Sequence, residues 1–168
     1  MATGQTHRMF RTRVDLPTEQ REKLVELLNQ HVADSMDLYT QVKQAHWNVK
    51  GRNFYSIHEL TDTFAAELLP YVDEIAERAT ALGGYVSGTL RMAAESTSLP
   101  EYPSDPVDAL DHVQVLVERI GAFANSVRAA IDQSEELGDK GTADLFTEIS
   151  RLVDKRLWFF EAHLQGND

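Results

Sequence analysis

Cysteine is absent from the 168 residues. That excludes disulfides, thiolate zinc sites and iron–sulfur clusters, and leaves histidine and carboxylate as the strong metal ligands. Long apolar runs are absent too: none approaches the roughly 18 residues that span a bilayer, and the first residues lack the apolar core of a signal peptide. The expectation is a soluble, cytoplasmic chain with no membrane partner. Positive charge is scarce, with 16 Lys and Arg against 27 Asp and Glu for a formal net charge of -11. Residues 1–13 carry Arg8, Arg11 and Arg13 and no acid, so the remaining body is more acidic still. Such a body repels nucleic acid, and any DNA contact falls to the three arginines of that short segment.

The 42% hydrophobic content suits one domain with a substantial core. Leu24, Leu27, Leu28, Val32, Leu38, Tyr39, Val42 and Ala45 recur at spacings of three and four, which predicts a helix from about Pro17 to Asn48. Gly51 and Asn53 mark a short turn before a second helix from about Phe54 to Leu82, stopped by Gly83 and Gly84. Pro70 lies in its middle and is expected to kink it. A third helix is expected to start at Asp105 and Pro106, as cap and first helical residue, and to end before Gly138. A fourth follows almost at once, with Phe146, Ile149, Val153, Phe160 and Leu164 on its apolar face.

The short turns predict two antiparallel helical hairpins. The long segment 83–104 joins them, and within it the run from Leu90 to Ser96 can form a short helix. The fold expected is all-α, a ferritin-like four-helix bundle with a long crossover that carries a short helix between helices two and three. The division expected is a flexible basic N-terminal tail, 1–15, and the bundle domain, 16–168.

His46, His58, Asp62, Asp73 and Glu77 form a mixed nitrogen and oxygen set suited to iron, manganese or zinc. His58 and Asp62 share a helix face, as do Asp73 and Glu77. His58 and Asp73, however, stand about 22 Å apart at about 1.5 Å per residue, so one metal cannot take both pairs from one chain. Two copies of this helix, antiparallel about a twofold axis near residues 67 and 68, would bring one chain's His58 and Asp62 against the other's Asp73 and Glu77. His46 reaches the His58 end across the turn. Taken singly, each feature has a blander reading: Asp73 and Glu77 as a solvated acidic face, His58 as a surface histidine, His46 as a packing residue at a helix end.

The segment His46-Trp47-Asn48-Val49-Lys50-Gly51, with Phe54, His58 and Asp62, then Asp73 to Arg78 and Leu82-Gly83-Gly84, closely resembles the Dps family, the DNA-binding proteins from starved cells. The resemblance continues through Thr142 to Asp144 and Asp154 to Phe160. It implies a hollow homo-dodecamer built from twofold dimers, with a ferroxidase site at each twofold interface. His46, His58 and Asp62 would come from one subunit and Asp73 and Glu77 from its mate. Iron, two ions per site, would be oxidised there, by hydrogen peroxide in preference to dioxygen, and stored as ferric oxide, with zinc as an alternative occupant.

The same resemblance places Trp47 near the metal and assigns Asp139, Asp144 and Glu148 to a threefold pore, against which stands their simpler use in capping and helix-dipole compensation. Two departures matter. Pro70 precedes Asp73 by three residues, and the tail offers three arginines where DNA-binding members tend to carry lysines. The alternative activity is non-specific DNA compaction, nucleoid-associated, with a vestigial or zinc-filled site.

Overall fold

The computed structural model describes residues 8–166. Among them are five helices: α1 (Thr18–Asn48), α2 (Phe54–Ala81), α3 (Leu90–Ser96), α4 (Ala109–Glu136) and α5 (Lys140–Gln165). Helices α1 and α2 form one hairpin and α4 and α5 the other, and α1 lies against both α3 and α4. This is the all-α, ferritin-like bundle, and the crossover carries its short helix at the expected residues.

Each boundary has a local cause. Pro17 sits immediately before α1, where its missing N–H costs nothing. After α2 the chain reverses at Gly83, whose φ of +86° suits glycine; a Cβ there would also stand 2.6 Å from the Phe10 carbonyl oxygen. The turn between α1 and α2 uses Gly51 and Asn53, both at positive φ. Asp139 caps α5 by accepting from the backbone N–H groups of Gly141 and Thr142.

Helix α4 starts later than the sequence suggests. Asp108, not Asp105, is its cap, accepting from Leu110 N–H at 3.0 Å. The reason is tertiary: the Lys50 N–H donates to the Val107 carbonyl at 3.1 Å, which holds the residues before Asp108 extended against the α1–α2 turn. Helix α2 runs through Pro70 as one 28-residue helix. Pro70 and Ala66, whose carbonyl loses its helical donor, both face solvent, so water can satisfy that oxygen.

The core is one cluster drawn from all four long helices, with Phe64, Phe123, Phe146 and Phe160 fully buried. Truncating one of these to alanine costs about 3–5 kcal/mol. The segment before α1 joins this body. Met9 packs on the core and the Phe10 N–H donates to the Gly83 carbonyl at 2.6 Å. Of the expected tail, residues 1–7 lie outside the described residues; Met9 and Phe10 contact the body, and Arg8, Arg11 and Arg13 are exposed.

His31, on α1, lies in this core 3% exposed, its ring 4.7 Å from that of Phe146. Its Nδ1–H donates to the Leu27 carbonyl at 2.9 Å, and Nε2 has no partner among the described residues. Burial pushes the imidazole below its ordinary value of 6.5, against smaller upward pulls from the Leu27 carbonyl and the Asp34 charge. The fold thus holds His31 neutral. Below about pH 6.5 the unfolded chain takes up a proton that the folded chain resists, so stability falls as pH is lowered through the range under 6.5. In urea titrations between pH 7.5 and 5, His31→Leu should show a shallower loss of midpoint with acidification than wild type; parallel curves would contradict this.

Candidate metal centre

The end of α1 and the start of α2 are locked together by their two histidines. His46 Nδ1–H donates to the His58 carbonyl at 3.0 Å, and His58 Nδ1–H donates to the His46 carbonyl at 3.0 Å. The rings stack with centroids 3.8 Å apart. Because a carbonyl only accepts, both protons are fixed on Nδ1, and each Nε2 keeps its lone pair for a metal. An imidazole held through its other nitrogen by a carbonyl is the usual support of a metal-ligating histidine. Thr61 completes the lock: its hydroxyl bonds the Ile57 and His58 carbonyls at 2.8 and 2.9 Å and lies 3.4 Å from His46 Nδ1. Phe54 covers the outer side of the His58 ring, with centroids 5.2 Å apart.

Asp62, one turn beyond His58, presents its carboxylate to the same place, with Oδ1 3.8 Å from His46 Nε2. The structure adds a residue the sequence reading passed over. Lys43 Nζ donates to Asp62 Oδ1 at 2.8 Å and lies 5.9 Å from the Trp47 ring centre. This hydrogen bond, then the ammonium charge, holds the Asp62 carboxyl below its usual range. Lys43 precedes His46 by three residues on α1, so helix periodicity alone placed it on that face. Trp47 itself is 67% exposed.

Asp73 and Glu77 sit further along α2, both exposed, and their carboxylates make no hydrogen bond or ion pair among the described residues. No group of three or more His, Asp or Glu positioned to hold a metal occurs among the described residues of one protomer. His46 neighbours both His58 and Asp62, but the three do not by themselves form a metal-holding group within one protomer, and Asp73 and Glu77 are not brought to them within the chain.

The expected pore residues divide. Asp144 and Glu148 are exposed on α5, and Glu148 accepts from the Tyr71 hydroxyl at 3.1 Å. Burial and that bond push the Tyr71 phenol up to about 12. Asp139 instead turns inward, 4% exposed. Its two oxygens take Arg78 Nη2 at 2.7 and 2.8 Å, and the Thr142 hydroxyl donates at 2.5 Å. Burial raises this carboxyl, but the Arg78 and Thr142 hydrogen bonds outweigh it and hold it below its ordinary value. With its lone pairs spent on Arg78 and the cap, Asp139 is a fastener between α2 and α5. Among the remaining histidines, His163 Nδ1–H is tied to the Phe159 carbonyl at 2.8 Å, and His31 and His112 are buried.

The family model described as a ferritin-like domain matches residues 25–167. A DNA protection during starvation protein of Agrobacterium fabrum is 46% identical over 155 residues, 92% of this chain and 96% of the relative. The fold matches DpsC from Streptomyces coelicolor with a TM-score of 0.88 at 32% identity, covering 93% of this chain and 91% of the other. It also matches a DPS protein from Vibrio cholerae, described as a member of a broad superfamily of ferritin-like diiron-carboxylate proteins. That match has a TM-score of 0.85 at 26% identity, over 94% of this chain and 98% of that one.

The Lys43 ammonium occupies the position at Asp62 that a metal cation would contest. Replacing it, Lys43→Met, should tighten Co(II) binding in anaerobic titration by a few-fold, the scale of an exposed ion pair. Weaker binding would show instead that Lys43 holds Asp62 in a ligating pose.

Proposed function

Since this chain belongs to the Dps family of ferritin-like proteins, we propose that it is a ferroxidase that takes up Fe(II) as substrate and stores it as ferric oxide, protecting DNA from oxidative damage. The observation that carries this reading is the reciprocal His46–His58 lock, which engages both Nδ1 atoms with carbonyls and leaves both Nε2 atoms for a metal, that of His46 3.8 Å from the Asp62 carboxylate. The donor set fits iron: carboxylates favour Fe(III), and neutral imidazoles help retain Fe(II). The remaining ligands, Asp73 and Glu77 of the partner subunit, arrive across a twofold interface, so assembly is a condition of activity.

In this reading the subunits build a homo-dodecamer, two ions occupy each site, and hydrogen peroxide is the preferred oxidant over dioxygen. The chain's own residues do three things. The two carbonyls hold both imidazoles in a fixed orientation; Lys43 neutralises Asp62 until a cation displaces it; and the acidic groups Asp144 and Glu148 draw cations toward a threefold pore. Asp139 serves that pore indirectly, by fixing the start of α5 through Arg78. The protein works in the cytoplasm.

A second activity, sequence-independent DNA binding, is favoured by one observation: Arg8, Arg11 and Arg13 are all exposed within one short stretch before α1. Twelve copies would bind by avidity where one would not, bringing the assembly to the nucleoid, and the contact would weaken steeply with salt.

Anaerobic Fe(II) loading followed by peroxide tests the first reading. In a His46→Ala, His58→Ala double variant that assembles as wild type, ferric oxide should form slower by about tenfold or more; an unchanged rate removes the site. For DNA, a low-salt gel shift should show weaker retention when Arg8, Arg11 and Arg13 are all changed to Gln, and equal mobility would end that reading.

A further inference from the structure

Between the second half of α1 and the end of the crossover runs a groove of about 730 Å³, within the size range of small-molecule sites. Its α1 wall carries Asp37, Thr40, Gln41, Gln44 and Trp47, which share one helix face. Trp47 follows Asp37 by ten positions, about 15 Å of helix at about 1.5 Å per residue, so the groove is elongated. Two carboxylates, Asp37 and Glu101, line it, and no described Lys, Arg or His does. Asp37 accepts one hydrogen bond on each oxygen, from Gln41 Nε2 at 3.2 Å and from the Thr97 hydroxyl at 2.8 Å, and each oxygen keeps a further lone pair. Glu101 is exposed and makes no ion pair among the described residues.

Gln41 adds an acceptor with nothing to accept. The side chain is 4% exposed, and its amide nitrogen is committed to Asp37 and to the Pro100 carbonyl at 3.0 Å. Its Oε1 meets no donor among the described residues, an unfavourable state that an N–H brought into the groove would relieve. At the other end stands the Trp47 indole, 67% exposed. The Lys43 ammonium, 5.9 Å from the ring centre, is at the outer limit of a cation–π contact and is paired with Asp62. The Tyr102 hydroxyl lies 2.5 Å from His112 Nδ1, which leaves the ring as what Tyr102 presents to a ligand. Acceptors, negative charge and aromatic faces in a narrow slot select a slender cation rich in N–H donors and repel anions.

We propose that this groove binds a linear aliphatic polyamine, with one ammonium at Asp37 and Gln41, another against the Trp47 indole, and methylenes along the apolar lining from Leu99 and Pro103. An ammonium supplies only donors, as the Asp37 and Gln41 oxygens require, and a cation over an indole face is the strongest of the cation–π pairs. The elongated shape asks for charges separated along a chain: a lone metal ion or a monoamine would engage one end and leave the other empty. The inference does not rest on iron chemistry, and its test is made without metal.

Equilibrium dialysis of spermine against the assembled, metal-free, full-length protein provides the test, at about 0.15 M salt, where diffuse attraction to an acidic surface is largely screened. Wild type should bind saturably, one spermine per chain, and butylamine, with a single ammonium, about tenfold more weakly. Trp47→Leu and Asp37→Asn should each weaken spermine by about fivefold. Thr40→Lys, which sets a fixed cation into the groove from an exposed helix position, should abolish saturable binding while the assembly keeps its size. Asp132→Asn removes an exposed carboxylate on α4, away from the groove, and should change nothing. Binding that does not saturate, or that persists in Thr40→Lys, overturns the proposal. So does a loss in Asp132→Asn equal to that in Asp37→Asn, which would mark attraction to overall charge, and so does full displacement of spermine by Mg(II) at equal charge.

Discussion

Helix α2 imposes a separation that no rearrangement within one chain removes. Asp73 follows His58 by fifteen positions, about 22 Å of helix at about 1.5 Å per residue, and the helix is continuous across that interval, Pro70 included. A carboxylate–imidazole centre of the ferritin-like kind needs both ends at one place, so the rigidity that makes a good bundle helix forces the centre onto a contact between copies. The local features follow from this. His46, His58 and Asp62 are gathered and oriented within a protomer, whereas Asp73 and Glu77 stand exposed with nothing to bind among the described residues.

The gathered half is held by backbone, which is why it is rigid. Each histidine bonds the other's carbonyl, so the α1–α2 turn and the orientation of the ligands are a single object. The turn is fixed in its own right by Gly51 and Asn53 and by the Lys50–Val107 hydrogen bond to the crossover. At the far end of α2, Arg78 ties the helix to the α5 cap at Asp139, so the neighbour of Glu77 also anchors the helix that carries Asp144 and Glu148. A further, half-buried fastening, Arg156 to Glu67, joins α5 to the middle of α2. Both attachments brace the helix whose length defines the centre.

Most of this was legible in the sequence where it depends on chain-local physics. The three- and four-residue spacing of apolar side chains, the glycines at 51, 83 and 138 and the seven residues of α3 marked the helices closely. The half-site geometry followed from helix rise alone. What escaped was tertiary. Asp105 and Pro106 form as good a helix start as Asp108, and only the Lys50 contact, made across the fold, selects the later one. Asp139 reads equally as cap or pore residue until Arg78, 61 positions away, claims its oxygens. The Tyr102 hydroxyl, 2.5 Å from His112 Nδ1, joins the crossover to α4 through two residues that no periodicity relates, while Lys43 shared the face of His46 and was within reach of the same argument that found Asp62.

The centre's division between subunits can be read out directly by complementation. One variant carries His46→Ala and His58→Ala, the other Asp73→Asn and Glu77→Gln, and each alone should oxidise Fe(II) slowly. Unfolded together and co-assembled, mixed twofold pairs regain one intact centre, with imidazoles from one chain and carboxylates from the other. Fe(II) oxidation by peroxide in the mixture should then exceed that of either variant assembled alone. A mixture that contains mixed pairs, shown by native mass spectrometry, yet oxidises Fe(II) no faster than its components would contradict a centre shared across the twofold interface.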